Sequence, residues 1–512
     1  MGTPKKENAL EPAQEAVFSS PSCLQATEES RLRVKREDFF EEVTGMHSSY
    51  DQTIRYDFQM KVTQITYQVE TVTDPRTGKS VRASTDGEGP AGLSLTWGAI
   101  VTLLKMHAGF AAPIHRLSLM LGHPAFQPSR IYRSLEWSAQ LLLPIYLHLP
   151  EQLAEAEILS GDDTSTKVLD TTEEPQAEGI NLHRQVDELL GWCSNRADGK
   201  GKKKALNVTL ISGRTESDPR STIRFFRTHV GSFGNLVSRL LEMRSPRNKK
   251  IIIQGDLSSS NLPEKGIRDR FEIQVSGCGA HARRPIWRYR KDDPDFCYYL
   301  LSAFLLLSYL EKLIDLEGRT EENVRKYRRY AGMLWQAIRN RCLAAITGVR
   351  TTPFTDAKHK IIQWPPQNRL HVAAQYIVDH FQELTLYLQE PRLPWTTNDQ
   401  ERGLRFEKCL LGAAKFKGNR NGRVILDILR TLNATSASAQ VEMDDYIQWV
   451  YRNRGQVEEN PGLFTPFAYA KFLDSVKNKG RSPPAPSPSG QPEACPTLQP
   501  RPGPGSVQSL ST

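Results

Sequence analysis

Six runs between residues 157 and 278 narrow what this chain can fold into more than any other feature. They are "EILSGDD" (157–163), "LNVTLISGR" (206–214), "STIRFFRTHV" (221–230), "GNLVSRLLEM" (234–243), "KIIIQGD" (250–256) and "FEIQVSGC" (271–278). Five are rich in β-branched and aromatic residues and read as strands, while the fourth has the apolar spacing of a helix. The first strand ends in Asp162 and Asp163, the fifth run in Asp256. Carboxylates at strand ends can meet above a sheet however far apart they stand in sequence. An Asp at a strand end is also an ordinary turn residue, so each one alone decides little.

The order β, β, β, α, β, β is that of a ribonuclease H-like core. The predicted class is therefore α/β: a ribonuclease H-like mixed sheet flanked by helices, interrupted by a helical insertion, with a helical N-terminal region suited to DNA binding. Residues 1–50 are polar, without a sustained apolar period, and predict disorder. Residues 51–93 predict a small β-hairpin module, with strands over 59–84 on either side of a D-P-R-T-G turn. Residues 94–155 show helical spacing, and "IHRLSLMLGHPAFQPSRIYRSLEW" has helix-turn-helix proportions. Arg130 and Arg133 stand at the start of its second helix, where they would read DNA or simply decorate a helical hairpin. The core's first part is 156–294, with a polar insertion after the first strand. Residues 295–392 are a helical insertion, 393–478 complete the core and add C-terminal helices, and the Pro/Ser/Gly-rich 479–512 predicts disorder.

Composition sets the class. A chain of 512 residues, 38% hydrophobic and 24% charged, is soluble and globular with more than one domain. Its net charge of +9 favours a polyanionic partner. The 7 cysteines are scattered, with no C-x-x-C pair, which predicts reduced thiols in a cytoplasmic setting. The longest apolar run, "YYLLSAFLLLSYL" (298–310), falls short of the roughly 20 residues of a bilayer span and predicts a buried helix, so no membrane is expected. The N-terminus has no apolar stretch of the secretory kind.

A third carboxylate lies in "LPWTTNDQERGLR" (393–405). Asn398-x-x-Glu401 fits a capping box, in which Glu401 would bond back to its own N-cap. If instead Glu401 joins Asp162 (or its neighbour Asp163) and Asp256, three carboxylates repel unless a hard cation binds. Mg²⁺, or Mn²⁺, suits oxygen ligands, and two ions in one site activate an attacking oxygen and stabilise a leaving one. Downstream of Asp256, "GCGAHARRPIWRYR" sets Cys278 and His281 three apart, followed by Arg283, Arg284, Arg288 and Arg290. Half a zinc site is the weaker reading, since no second pair is visible. The stronger one gives His281 the scissile phosphate or the ordering of its loop, and the arginines backbone phosphates. Arg402 and Arg405, beside Glu401, are placed for the same work.

"GDDTSTKVL", "IIIQGDLSSSN", "GCGAHARRPIW" and "TTNDQERGLR", taken in that order, make the chain resemble the insertion sequence 66 family of DDE transposases over roughly residues 95–430. The resemblance implies that Asp162, Asp256 and Glu401 are the metal-binding triad and that Asp163 stands where the family often has Glu; with Glu401 so engaged, Asn398 or Thr397 is left to cap the helix presenting it. It implies cleavage of double-stranded DNA at element ends and strand transfer into target DNA, by a homo-oligomer on DNA. A structure-specific nuclease, or a DNA-binding protein that keeps the site only as scaffold, are the competing functions. Many members carry a cysteine-rich zinc segment, but residues 1–93 hold only Cys23. End recognition would then fall to the hairpin or to the helix-turn-helix-like segment.

Overall fold

Strand-forming runs produce two sheets in the computed structural model, which describes residues 62–167, 182–190, 206–214, 218–347, 368–413 and 419–478. These residues belong to the unit Val62–Thr512; a second unit, Met1–Lys61, lies outside them, as does the tail from 479. The expected disorder of 1–50 and 479–512 therefore falls outside the described residues. The smaller sheet pairs β1 (Thr71–Thr73) antiparallel with β2 (Ser80–Arg82). Asp74 shapes its turn by accepting from the Arg76 amide and the Thr77 hydroxyl. This hairpin is much shorter than the sequence predicts, and both strands are exposed. Alternation alone does not sustain pairing where no second layer covers the apolar side.

The larger sheet contains β3 (Ile158–Thr166), β4 (Leu206–Arg214), β5 (Thr222–Val230), β6 (Lys250–Gly255) and β7 (Glu272–Gly277), in the order β5-β4-β3-β6-β7. β3, β4 and β5 pair antiparallel, whereas β6 lies parallel to β3 and β7 parallel to β6. Ahead of it run α1 (Trp97–Leu104), α2 (Ile114–Leu121) and α3 (Pro128–Ala154). Inside the polar insertion, α4 (Leu182–Leu190) is described. A parallel neighbour requires a crossover, which α5 (Phe233–Met243) supplies between β5 and β6; α6 (Lys265–Arg268) lies between β6 and β7. Leu142, Ile145, Leu149 and Leu153 of α3 share one core with Leu159, Ile211 and Phe225 of the sheet.

After β7 come α7 (Gly279–Arg288), α8 (Pro294–Glu317), α9 (Glu321–Thr347), α10 (Arg369–Asp379) and α11 (Phe381–Thr385), which build a second core around Phe304 and Trp335. α8 departs from the expected buried helix. Phe296, Leu300, Phe304 and Leu307 are buried, but Tyr298, Leu305, Leu306 and Tyr309 along its other side are exposed. The helix is also longer than its apolar run, and by length and composition alone it is long and apolar enough to cross a membrane.

The chain then returns to the sheet through α12 (Asn398–Ala413) and α13 (Arg420–Ser438), followed by α14 (Met443–Arg452), α15 (Arg454–Glu459) and α16 (Pro466–Asn478). β5 is an edge strand, and unpaired edge amides invite pairing with other chains. Here α13 covers them. The amides of Arg224, Phe226 and Thr228 donate to Thr435 Oγ1 (3.1 Å), Thr431 Oγ1 (2.9 Å) and Asp427 Oδ2 (2.7 Å). Alternate strand residues are about 6.7 Å apart and helix residues four apart about 6 Å, so the two repeats run nearly in step.

Candidate metal centre

β3 and β6 lie side by side with Ser160 opposite Gln254; Asp162 stands two residues further along β3, and Asp256 two residues further along the chain, just beyond the end of β6. Ser160 Oγ donates to Gln254 Oε1 (3.1 Å), and Gln254 Nε2 donates to the Pro394 carbonyl (2.5 Å). Both side chains are buried, where an unmade hydrogen bond costs about 1–3 kcal/mol. Those two bonds hold the first strand, the fourth strand and the approach to α12 together. Gly161, just before Asp162, must lack a side chain: a Cβ there would lie 2.1 Å from Phe233 Cε2 and 2.8 Å from the Leu210 carbonyl.

α7 and α12 are joined in the same way. The Gly279 amide donates to the Trp395 carbonyl (3.0 Å), the Thr397 amide donates to Cys278 Sγ (3.2 Å), and a Cβ on Gly279 would strike the Trp395 ring at 2.5 Å. Buried Arg328 of α9 holds the approach by donating to the carbonyls of Glu390 (2.9 Å) and Leu393 (2.6 Å). Gly403 then lets α12 lie directly on β4, since a Cβ there would sit 2.6 Å from Leu210 Cδ2.

Through these contacts Asp162, His281 and Glu401 converge, each with one ligand atom, and those atoms lie within 4.8 Å of one another. Arg284 donates to Glu401 Oε1 at 2.6 Å, and His281 Nε2 lies 3.6 Å from the same oxygen. The capping box is not formed. Asn398 is inside the helix, the Glu401 amide bonds to the Thr397 carbonyl (3.0 Å), and the Thr397 hydroxyl is buried without a partner. Neither Asn398 nor the Thr397 side chain caps as the sequence suggests, because capture of the Thr397 amide by Cys278 fixes where the chain enters the helix.

Asp256 and Asp163 lie apart from this cluster. Asp256 Oδ1 accepts from the Ser258 amide (3.1 Å) and from the Asn261 side-chain amide. Asp163 Oδ2 accepts from the Phe233 amide at the start of α5 (2.9 Å). Burial raises the Asp163 carboxyl, the Phe233 amide partly offsets that, and Asp256 raises it again by repulsion. Of the three predicted ligands the structure thus brings together Asp162 and Glu401, and adds His281, which the sequence offers only as an auxiliary.

Burial pushes the Asp162 carboxyl up to about 6, with the charges of Asp163 and Glu401 adding to it against the Asp163 amide and His281. Burial would lower His281 and raise the Cys278 thiol. Each favours the charged form of the other strongly enough that His281 ends above its ordinary value and Cys278 below. Two carboxylate oxygens and, once it gives up its proton, an imidazole nitrogen are a donor set that fits a divalent cation.

Residues 265–422 match the family model described as the transposase IS66 family. This stretch is similar to the IS66 transposases. No curated protein and no solved structure matches the chain significantly. The IS66 match covers α6 through the start of α13, including His281, Arg284 and Glu401, and is shorter than the 95–430 suggested by the motifs. Asp162 and Asp256 precede it. An IS66 relationship makes transposition the related function and DNA the partner.

The arginines expected to hold phosphates (Arg283, Arg284, Arg402, Arg405) or to read bases (Arg130, Arg133) are all exposed. Arg283 and Arg284 lie on α7, Arg402 and Arg405 on α12, and Arg130 and Arg133 at the start of α3. Arg402 pairs with Asp399 on its own helix, and Arg290 lies over the Trp287 ring at 4.1 Å. Sequence reasoning missed Glu407, considered below. Its only signal was a Glu on an otherwise apolar helical stripe, at Leu404, Glu407 and Leu410, all buried.

Proposed function

We propose that the chain is a DDE-type transposase that cleaves a DNA phosphodiester at an element's end and joins the freed 3′-hydroxyl to target DNA. The observation that carries this reading is the convergence of Asp162, His281 and Glu401 from three elements far apart in sequence, β3, α7 and α12, the last two inside the IS66 match. The strand order supports it too. Three antiparallel strands followed by two parallel ones, with the first in the middle, is the arrangement expected of a ribonuclease H-like core.

Asp162, Glu401 and His281 would hold a magnesium or manganese ion. Asp256, just beyond the end of the neighbouring strand, would take part in a second once its carboxylate turns from Ser258 and Asn261. A cation held there would polarise the attacking oxygen and stabilise the leaving one. Water attacks in the first step and a sugar hydroxyl in the second, so one geometry serves both. Arg284 is placed to pass its charge from Glu401 to a substrate phosphate, while Arg283, Arg402 and Arg405 hold the backbone. Arg130 and Arg133 at the head of α3 are the candidates for reading end sequence.

The test combines end-containing duplex, Mg²⁺ and a target plasmid, using the wild type and Asp256→Asn. Joined product from the wild type and none from the variant, with DNA binding nearly intact, is expected. Cleavage without joining would make the protein a nuclease, and a metal-independent gel shift without product would leave only DNA binding. Strong Mg²⁺-dependent cleavage by the variant would remove Asp256 from the triad.

A further inference from the structure

We infer that Glu407, acting through Thr166, is a positioning residue that sets the spacing between Asp162 and Glu401. The inference rests on the reading of those two as metal ligands. Thr166 ends β3, four residues beyond Asp162, and Glu407 lies six residues beyond Glu401 on α12. Thr166 Oγ1 donates to Glu407 Oε1 at 2.8 Å. The strand and helix that carry the two acids therefore touch again further along, about 13 Å away on the strand and about 9 Å away on the helix.

That second contact is rigid because it belongs to a sealed set of charges. Glu407 and Asp427 are 0% exposed, Arg423 2% and Arg430 3%. Arg423 Nη1 donates to both oxygens of Glu407 (3.1 and 3.2 Å), and Arg430 Nη1 donates to Glu407 Oε2 (3.2 Å). Arg423 Nη2 donates to Asp427 (2.9 Å), and Arg430 Nη2 donates to the Gly403 carbonyl (2.7 Å), between Glu401 and Glu407 on α12. The Arg430 guanidinium lies 4.0 Å from the ring centres of both Phe226 and Phe406. Among the described residues, two carboxylates and two guanidiniums bond to one another here. Sliding or rotation of α12 along β3 would break bonds to buried charges, which are costly to leave unpaired. Glu401 is thereby kept at one distance from Asp162.

A merely structural cluster would stabilise the fold without favouring the metal site, and two threonines separate these cases. Thr166 sits on the strand carrying Asp162. Thr228 sits on β5, which carries no proposed metal ligand, and its hydroxyl donates to Asp427 (3.0 Å) in the same cluster and accepts from Arg423. The experiment titrates the full-length protein with Mn²⁺ alone, without DNA, followed by electron paramagnetic resonance, with urea unfolding of each variant alongside. Asp162→Asn defines which Mn²⁺ signal belongs to the site. Thr166→Val is expected to weaken that binding roughly tenfold, the range seen when groups behind metal ligands are altered. Thr228→Val should lose comparable stability yet bind within about twofold of wild type, by the same comparison. Thr166→Ser, which keeps the hydroxyl, should bind as wild type. If Thr166→Val does not fold, Glu407→Asp, shorter by one methylene with the charge kept, replaces it. Equal weakening by the two valine variants, or none by either, overturns the positioning role. Wild-type binding that survives Asp162→Asn overturns the metal-centre reading itself, and the inference with it.

Discussion

Two groups of charged side chains meet at α12 and behave in opposite ways. Where α12 meets α13, Glu407 and, from α13, Arg423, Asp427 and Arg430 are sealed and bonded to one another. Around the start of α12, Asp162, His281 and Glu401 are only partly buried, and Arg284, itself exposed, is the permanent cation bonded to them. A buried group of charges bonded to one another holds its elements in place, whereas one that gathers acids and leaves their charge unmatched waits for something positive. Burial raises the Asp162 carboxyl, and the neighbouring charges of Asp163 and Glu401 add to it.

The largest expected effect is on chemistry at the open end. Glu401→Gln should lower cleavage and joining by at least about 10³-fold, as loss of a residue acting in the reaction typically does, with DNA affinity within a few-fold of wild type. A quenched-flow or gel assay with end DNA reads it. Retained activity would return Glu401 to a structural role and erase the contrast.

Glu407→Gln, six residues away, should act on stability. Removing one partner of a buried ion cluster leaves arginines unpaired and costs about 3–5 kcal/mol, read as a lower urea midpoint. A loss under about 1 kcal/mol, the size of a surface pair, would mean the cluster is wetter than its burial indicates.

A smaller effect sharpens the comparison through pH. The ordinary Asp value is 3.8 and that of Asp162 in the fold is about 6, so the folded chain holds this proton more tightly. The resulting stability is fully present below pH 3.8 and is lost as pH rises through 6. Metal-free Asp162→Asn should therefore be more stable than wild type at pH 8, by about 1–2 kcal/mol once partial solvent screening is allowed for. The gap should narrow as pH falls toward 4. Thermal unfolding in chelator at both values checks it, and Mn²⁺ should reverse the order at pH 8. An advantage that grows on acidification would contradict the burial account.

The smallest effects belong to the arginines around the open site. Arg283→Ala and Arg405→Ala should each weaken end and random DNA alike and flatten the slope of log affinity against log salt by about one unit. Arg130→Ala and Arg133→Ala should instead reduce the preference for end DNA. Unchanged preference would leave α2 and α3 as a packed helical hairpin and move end recognition to the β1–β2 module.

Much of the frame was legible in order along the chain. β4 and β5 fall almost residue for residue on "LNVTLISGR" and "STIRFFRTHV", and the helical block between β7 and α12 is where the spacing puts it. The hairpin was overread because its alternation has no partner layer, and α8 because an apolar run does not say which of its sides will be covered. The site was legible as a list of acids but not as a geometry.

Local periodicity, strand composition and the position of acids near strand ends are properties of short windows, so the sequence by itself determined the strands, the helices and the candidates Asp162, Asp163, Asp256 and Glu401. Which acids meet depends on which amide captures each carboxylate. Phe233 takes Asp163, Ser258 takes Asp256, and His281 and Arg284 flank Glu401. The Ser258 contact is a local turn, but the partners of Asp163 and Glu401 lie 70 to 120 residues away from the acids they hold, as with the 117 between Arg284 and Glu401. Only the tertiary structure decides such pairings, because a hydrogen bond is formed by proximity and direction in space, and neither is written in a window of sequence.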